Sequence, residues 1–232
     1  ASYPKSGNTW VRSIISSYFF SKTGDFDFSL LKNIPLYPGP KYFKNVIDKP
    51  GDVSLFWENS QKNIIQSQKR TFLKTHNALV ALNNRSFATA KTTLGAIYII
   101  RDPRNILSSL KNHYGFKDYN ETFEFMKNKK KYIWDIRKKN DYSGFQFLGS
   151  WSDHYKSWTK NPKFKTLLIK YEDLEKDCYS TSHKIIKFIL TLDAQNIELD
   201  EKKLFRSIET TKFDVLKKKE IDYGFEESIK VN

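Results

Sequence analysis

Cysteine is almost absent: Cys178 stands alone in 232 residues, so no disulfide can form within the chain and no CxxC or Cys/His cluster exists to hold structural zinc. A reducing compartment, and with it a cytoplasmic location, is the expectation. Glycine and proline are sparse, at 9 and 7, and neither gathers into a linker or low-complexity tract. No repeat is present, which sets aside fibrous and solenoid architectures. No stretch approaches the ~18 unbroken apolar residues of a membrane span, and no charged-then-apolar leader opens the chain, so no stable membrane span is expected. Acid is also short. Against 40 Lys and Arg stand 26 Asp and Glu, a net charge of +14, which favours a polyanionic partner such as nucleic acid, acidic lipid or a phosphorylated small molecule without choosing among them.

What is present suits one folded domain: 39% apolar and 16% aromatic residues supply an interior that a disordered chain lacks. Short apolar runs read as buried strands at Thr71 to Lys74, Ala96 to Ile100 and Thr166 to Tyr171, with Ala1 to Tyr3 as the tail of another. Between them, Trp10, Val11, Ile14, Ile15, Tyr18 and Phe19 recur at helical spacing, as do Ile106, Leu107 and Leu110, then Ile185, Ile186 and Ile189. Strands alternating with helices predict an α/β fold, a central parallel sheet flanked by helices on both faces. Ligands in such sheets bind at the carboxyl ends of the strands.

Three segments carry chemistry at those ends. Ser2-Tyr3-Pro4-Lys5-Ser6-Gly7-Asn8-Thr9-Trp10 joins a strand to a helix and combines a lysine, hydroxyls and a glycine in a tight turn. Free N–H groups at a helix start, the helix dipole and Lys5 together attract a phosphate-like group, although a capped turn would account for the same residues. The segment is not GxxxxGK[ST], because Lys5 precedes its only glycine, which disfavours an ordinary ATPase. Arg101-Asp102-Pro103-Arg104-Asn105 is the second, with Asp102 suited to N-cap and Pro103 to the first helical position. Ser109, about two turns along, is placed to share one anion with Arg101; a surface ion pair to Asp102 is the other reading. The third is Leu73-Lys74-Thr75-His76. His76 suits a general base near neutrality, with Lys74 on the same strand face stabilising negative charge, and a hydrogen-bonded core histidine is the alternative.

Taken together these residues resemble the sulfotransferases that use 3'-phosphoadenosine 5'-phosphosulfate (PAPS), particularly the cytosolic type, over nearly the whole chain. YPKSGNTW is similar to the family's 5'-phosphosulfate loop, KTH to its catalytic strand end, and Arg101 with Ser109 to its 3'-phosphate site. Gly149-Ser150-Trp151 with His154 and Trp158, Tyr171-Glu172-Asp173-Leu174, and Thr210-Thr211-Lys212-Phe213 follow in family order. The resemblance implies a P-loop-like three-layer sandwich and one domain over residues 1–232, incomplete at both ends. It implies that Lys5, Ser6, Gly7, Asn8 and Thr9 hold the 5'-phosphosulfate and that Trp10, Tyr171, Thr211 and Phe213 form the adenine pocket. It implies further that Arg101 and Ser109 grip the 3'-phosphate, with Ser109 counted among the catalytic group, and that His76 deprotonates an acceptor hydroxyl or amine while Lys74 and Lys5 stabilise the sulfuryl group and its leaving oxygen. PAPS is then the co-substrate, no metal is needed, and the partner is a small-molecule or carbohydrate acceptor and not nucleic acid.

The late Arg-Lys-Gly segment and Gly-x-Trp stretch of cytosolic members have no counterpart in Gly224 to Asn232, leaving Lys217, Lys218 and Lys219 as the nearby basic residues. The family's dimerisation motif is likewise missing, and no oligomeric state is implied. His154 is a candidate for the acceptor wall, whereas His113 and His183 read as packing or surface residues. Residues 22–70, aromatic and rich in loops, are expected to form an acceptor wall or lid. Two other classes stay open on the residues: a P-loop kinase or other enzyme using ATP and Mg²⁺, and a nucleic-acid-binding module driven by charge.

Overall fold

A computed structural model describes residues 1–66, 71–138, 140–160, 163–192 and 197–223; the closing stretch from Gly224 lies outside the described residues. Its centre is a parallel pair, β3 (Gly95–Ile100) on β6 (Lys165–Lys170), in register from Gly95 opposite Lys165 to Ile100 opposite Lys170. The sheet continues past β3 as single contacts. Ser2 bridges Ile99 in parallel, the Ile99 N–H donates to the Ala1 carbonyl at 3.0 Å, and on the far side of that segment Ser2 N–H reaches the Thr75 carbonyl at 3.3 Å. Lys74 in turn bridges Leu36. The expected strands at Ala1 to Tyr3 and Thr71 to Lys74 therefore exist as isolated bridges, not ladders. The third ends one residue early, because Tyr171 opens a helix, α6 (Tyr171–Lys176).

Alternation along β3 decides which layer sees which residue. Ile97 and Ile99, with Leu167 and Ile169 of β6, meet Val11, Ile14, Ile15 and Tyr18 of α1 (Asn8–Phe20) and Ile185, Ile186 and Ile189 of α7 (Cys178–Thr191). On the same side Leu204 and Ile208 of α8 (Glu201–Glu209) complete the cluster. Ala96, Tyr98 and Ile100 face the other way, toward Trp57 of α2 (Trp57–Gln66), Phe145 and Trp158 of α5 (Trp151–Thr159). Successive strand residues point to opposite faces, so both sides of β3 are apolar and covered, whereas on β6 the Leu167 and Ile169 face packs inward and Leu168 on the other face is exposed. This is the expected α/β sandwich.

A third cluster joins Tyr3 to Ile106 and Leu110 of α3 (Pro103–Tyr114), Phe125 and Met126 of α4 (Tyr119–Lys127), and Leu148. Two antiparallel ribbons decorate the core, β1 (Ala81–Leu82) with β2 (Arg85–Ser86) and β4 (Tyr132–Ile133) with β5 (Gln146–Phe147). A last helix, α9 (Phe213–Tyr223), follows α8. No helix among the described residues is long and apolar enough to cross a membrane.

Candidate active site

The loop before α1 is built to leave that helix start uncapped. Gly7 occupies the N-cap in the left-handed region (φ 90°), no side chain caps the helix, and its first turn holds no acidic residue. By contrast α3, α4, α5, α7 and α8 begin with a side-chain cap from Asp102, Asp118, Ser150, Asp177 and Asp200. Lys5 also has a positive φ, 65°, so the chain curls tightly before the helix. Around this curl several buried polar atoms have no hydrogen-bond partner among the described residues: Ser6 Oγ, Asn8 Oδ1, Trp10 Nε1 and Arg101 Nε. Buried polar groups are ordinarily paired, so four such atoms around one loop point to a polar ligand.

Two strand ends deliver the cations. Lys5 follows the segment of residues 1–3 beside β3; Arg101 follows β3, and its Nη1 donates to the Lys5 carbonyl at 3.1 Å. The Arg101 guanidinium lies 4.0 Å from the centre of the Tyr171 ring. Tyr171, at the end of β6, also stands edge-on to Trp10, 5.9 Å between ring centres. Burial, then the neighbouring Arg101 charge, lowers the Lys5 pKa, with Glu220 opposing. Behind Arg101, the Asp102 N–H donates to Glu172 Oε1 at 2.8 Å, which ties the ends of β3 and β6 together.

His76 follows Thr75, whose carbonyl receives the Ser2 N–H, and so lies beside the segment that leads into this loop. Its Nδ1 is 2.8 Å from the Ser2 carbonyl, an obligate acceptor, so in the neutral ring Nδ1 carries the hydrogen and Nε2 keeps its lone pair. Asn8 Nδ2 donates to Ser2 Oγ at 3.2 Å, linking the residue that orients the imidazole to the helix start. Burial first, then Lys74, push His76 down to about 3, the hydrogen bond to Ser2 opposing them. An imidazole so placed is neutral at pH 7, with Nε2 unprotonated.

With this geometry in place, the comparisons with known proteins are specific. A family profile described as "Sulfotransferase domain" matches residues 1–227. The chain belongs to the sulfotransferase family. It is 26% identical to human sulfotransferase 2A1 over 95% of this chain and 69% of that protein. It is 28% identical to the 3-beta-hydroxysteroid sulfotransferase of Cavia porcellus, over 81% of this chain but only 56% of that one. The solved structure of mouse sulfotransferase SULT7A1 complexed with PAP superposes with a TM-score of 0.56 at 19% identity, over 93% of this chain and 63% of that chain, a likeness of fold.

Within this sulfotransferase domain most of the anticipated residues converge. Lys5, Ser6, Gly7, Asn8, Thr9, Trp10, Arg101 and Tyr171 surround one helix start. Ser109 is partly buried two turns into α3. Thr211 is fully buried, and its hydroxyl donates to the Ser207 carbonyl at 2.7 Å at the close of α8. Phe213 starts α9 with 63% of its surface exposed. Among the described residues no group of His, Cys, Asp and Glu is arranged to hold a metal ion.

One histidine differs from its sequence reading. His154, expected on the acceptor wall, is fully buried: Nε2 donates to the His76 carbonyl at 3.0 Å and Nδ1 accepts from the Tyr98 hydroxyl at 2.9 Å. His113, read as packing or surface, is half-buried with its ring against Tyr114, 4.9 Å between ring centres, and burial first, then the charges of Lys5 and Lys74, push it down to about 4.

Proposed function

We propose that this chain transfers a sulfuryl group from PAPS to a hydroxyl or amine of a small-molecule or carbohydrate acceptor, with His76 as general base. The observation that carries the reading is the uncapped start of α1, ringed by Lys5, Arg101 and unpartnered buried polar atoms. A nucleotide with phosphate-type groups at both ends matches two adjacent cations of this kind. Lys5 and the N–H groups of α1 would receive the 5'-phosphosulfate. Arg101 and Ser109 would receive the 3'-phosphate, and Trp10 with Tyr171 would contact the base.

Sulfuryl transfer, like phosphoryl transfer, asks for charge stabilisation and alignment more than for covalent help. Lys5 answers the charge that grows on the bridging oxygen, and Lys74 the charge on the group in flight. His76 takes the acceptor proton on Nε2 while Nδ1–H stays on the Ser2 carbonyl. A hydroxysteroid is the first acceptor to try, since two Cavia porcellus relatives are named as hydroxysteroid sulfotransferases.

Calorimetry with 3'-phosphoadenosine 5'-phosphate tests the donor assignment. Tight binding without Mg²⁺ and a clear preference over ATP are expected, and a preference for ATP with Mg²⁺ would overturn it. Arg101→Ala should weaken that binding by about 1.5–3 kcal/mol, the scale of a hydrogen bond to a charged group. An unchanged dissociation constant in the variant would remove Arg101 from the site.

A further inference from the structure

The segment that carries His76 has no ladder to hold it. Between Lys74 and β1 the backbone makes no regular sheet pairing; the Thr75 carbonyl and the Ala78 N–H find backbone partners in Ser2 and Phe147, and the groups around His76 and Asn77 are met by side chains. The His76 N–H donates to Gln146 Oε1, and Phe147 N–H donates to Asn77 Oδ1 at 2.8 Å. Two consecutive carbonyls are gripped from a single helix: His154 Nε2 takes that of His76 at 3.0 Å, and Trp158 Nε1 takes that of Asn77 at 3.0 Å. His154 and Trp158 are four apart on α5, hence on one face. Both are buried, and Tyr98 of β3 backs them, its ring stacked on Trp158 and its hydroxyl on His154 Nδ1.

We propose that His154, set by Tyr98, is the positioning residue of the base: it locks the His76 peptide so that the ring keeps Nδ1–H on the Ser2 carbonyl and Nε2 unprotonated. The proposal rests on the reading of His76 as the base. A carbonyl can only accept, so His154 must present Nε2–H, and Tyr98 must then donate to Nδ1. Leucine in place of His154 would leave the His76 carbonyl buried without a donor and that peptide held only by the Asn77 N–H on Thr75 Oγ1, 3.0 Å, so that it can tilt. The ring would leave Ser2 and meet water. The charged or titratable groups that act on His76 are Lys74 on its own segment, His154 on α5 and the Ala1 amine beside β3.

The experiment is ¹⁵N NMR of the histidine rings, tractable because the chain has four histidines. In the parent, His76 should appear as the Nδ1–H tautomer and resist protonation well below the ordinary ~6.5. His154→Leu should lose that tautomer signature and move the His76 midpoint up toward the ordinary value, whereas His154→Gln, which keeps an N–H donor, should restore both. A folded His154→Leu with parental His76 resonances would overturn the proposal, as would His154→Gln behaving like leucine. Should His154→Leu fail to fold, Tyr98→Phe decides, since it keeps the ring stack and removes one hydroxyl: a raised His76 midpoint supports the proposal and an unchanged one refutes it. Turnover of PAPS with a 3β-hydroxysteroid, measured alongside, should fall about 10-fold or more in kcat with KM nearly constant. A parent with no turnover would count against the proposed reaction, and the resonances would still report on the positioning role.

Discussion

At position 7 the backbone and a neighbouring ring make the same demand. Its φ of 90° suits glycine, and a Cβ built there would lie 2.4 Å from Cδ2 of Tyr171. The bare glycine lets Tyr171 close over the loop and stack beneath Arg101, so one missing side chain brings together the two ends of the proposed donor site. Gly7→Ala should cost on the order of 2–4 kcal/mol, combining left-handed strain with overpacking, read as a lower urea midpoint. A parental midpoint would mean that the ring steps aside freely. His76→Ala should lower kcat by about 10² to 10⁴ while leaving the donor dissociation constant unchanged. Because His76 is held down to about 3, acidifying through 6.5 should not remove the base, and the acid limb of kcat against pH should fall well below that of a free imidazole. A limb centred near 6.5 would mean that the His76 ring is hydrated in the fold.

At the scale of elements, α5 links sequence to chemistry. Ser150 caps it, its Oγ accepting from the Asp153 N–H at 3.1 Å while its hydroxyl donates to the Asp153 carboxylate at 2.7 Å. The cap sets where the first turn begins, and with it the direction in which His154 and Trp158 project four residues apart. Ser150→Ala should cost about 1 kcal/mol of stability, the usual scale for a lost N-cap, with a small loss of turnover through His76. Calorimetric melting and kcat measured on the same preparation check this; turnover lost without stability would point to a direct role for Ser150. On α3 the Asp102 cap, joined by Arg104 in a bidentate pair, fixes the first turn just beyond Arg101. In α1 the absence of such a cap leaves the N–H groups available to an anion.

The molecule as a whole encloses His154 completely, and burial pushes it down to about 4, with His76 lower still. Both folded values lie below the unfolded ~6.5, so the folded state binds fewer protons and their contribution to stability is complete above 6.5. As pH falls from 6.5 toward 4 that contribution is lost, at up to ~1.4 kcal/mol per unit for each histidine. The urea midpoint should therefore drop between pH 7 and pH 5, before carboxylates titrate, and drop less in His154→Gln. An unchanged midpoint over that interval would show that the imidazoles are hydrated in the fold.

Local chemistry was legible along the chain. The strand of Ala96 to Ile100, the periodic apolar faces of α1, α3 and α7, and the Asp102 and Pro103 start of α3 all follow from patterns within a few residues, because hydrogen-bond spacing and side-chain period are local properties. The anion-binding role proposed for Lys5 to Thr9 and for Arg101 rests on the same kind of local pattern. Which groups meet was decided only by tertiary structure. That Arg101 reaches the carbonyl of Lys5, that Ser2 selects the tautomer of His76, and that His154 faces inward onto a backbone carbonyl are contacts between residues 74 to 96 positions apart. Such contacts depend on how the layers stack, and a side chain's burial and hydrogen-bond partners belong to that stacking and not to its neighbours in sequence.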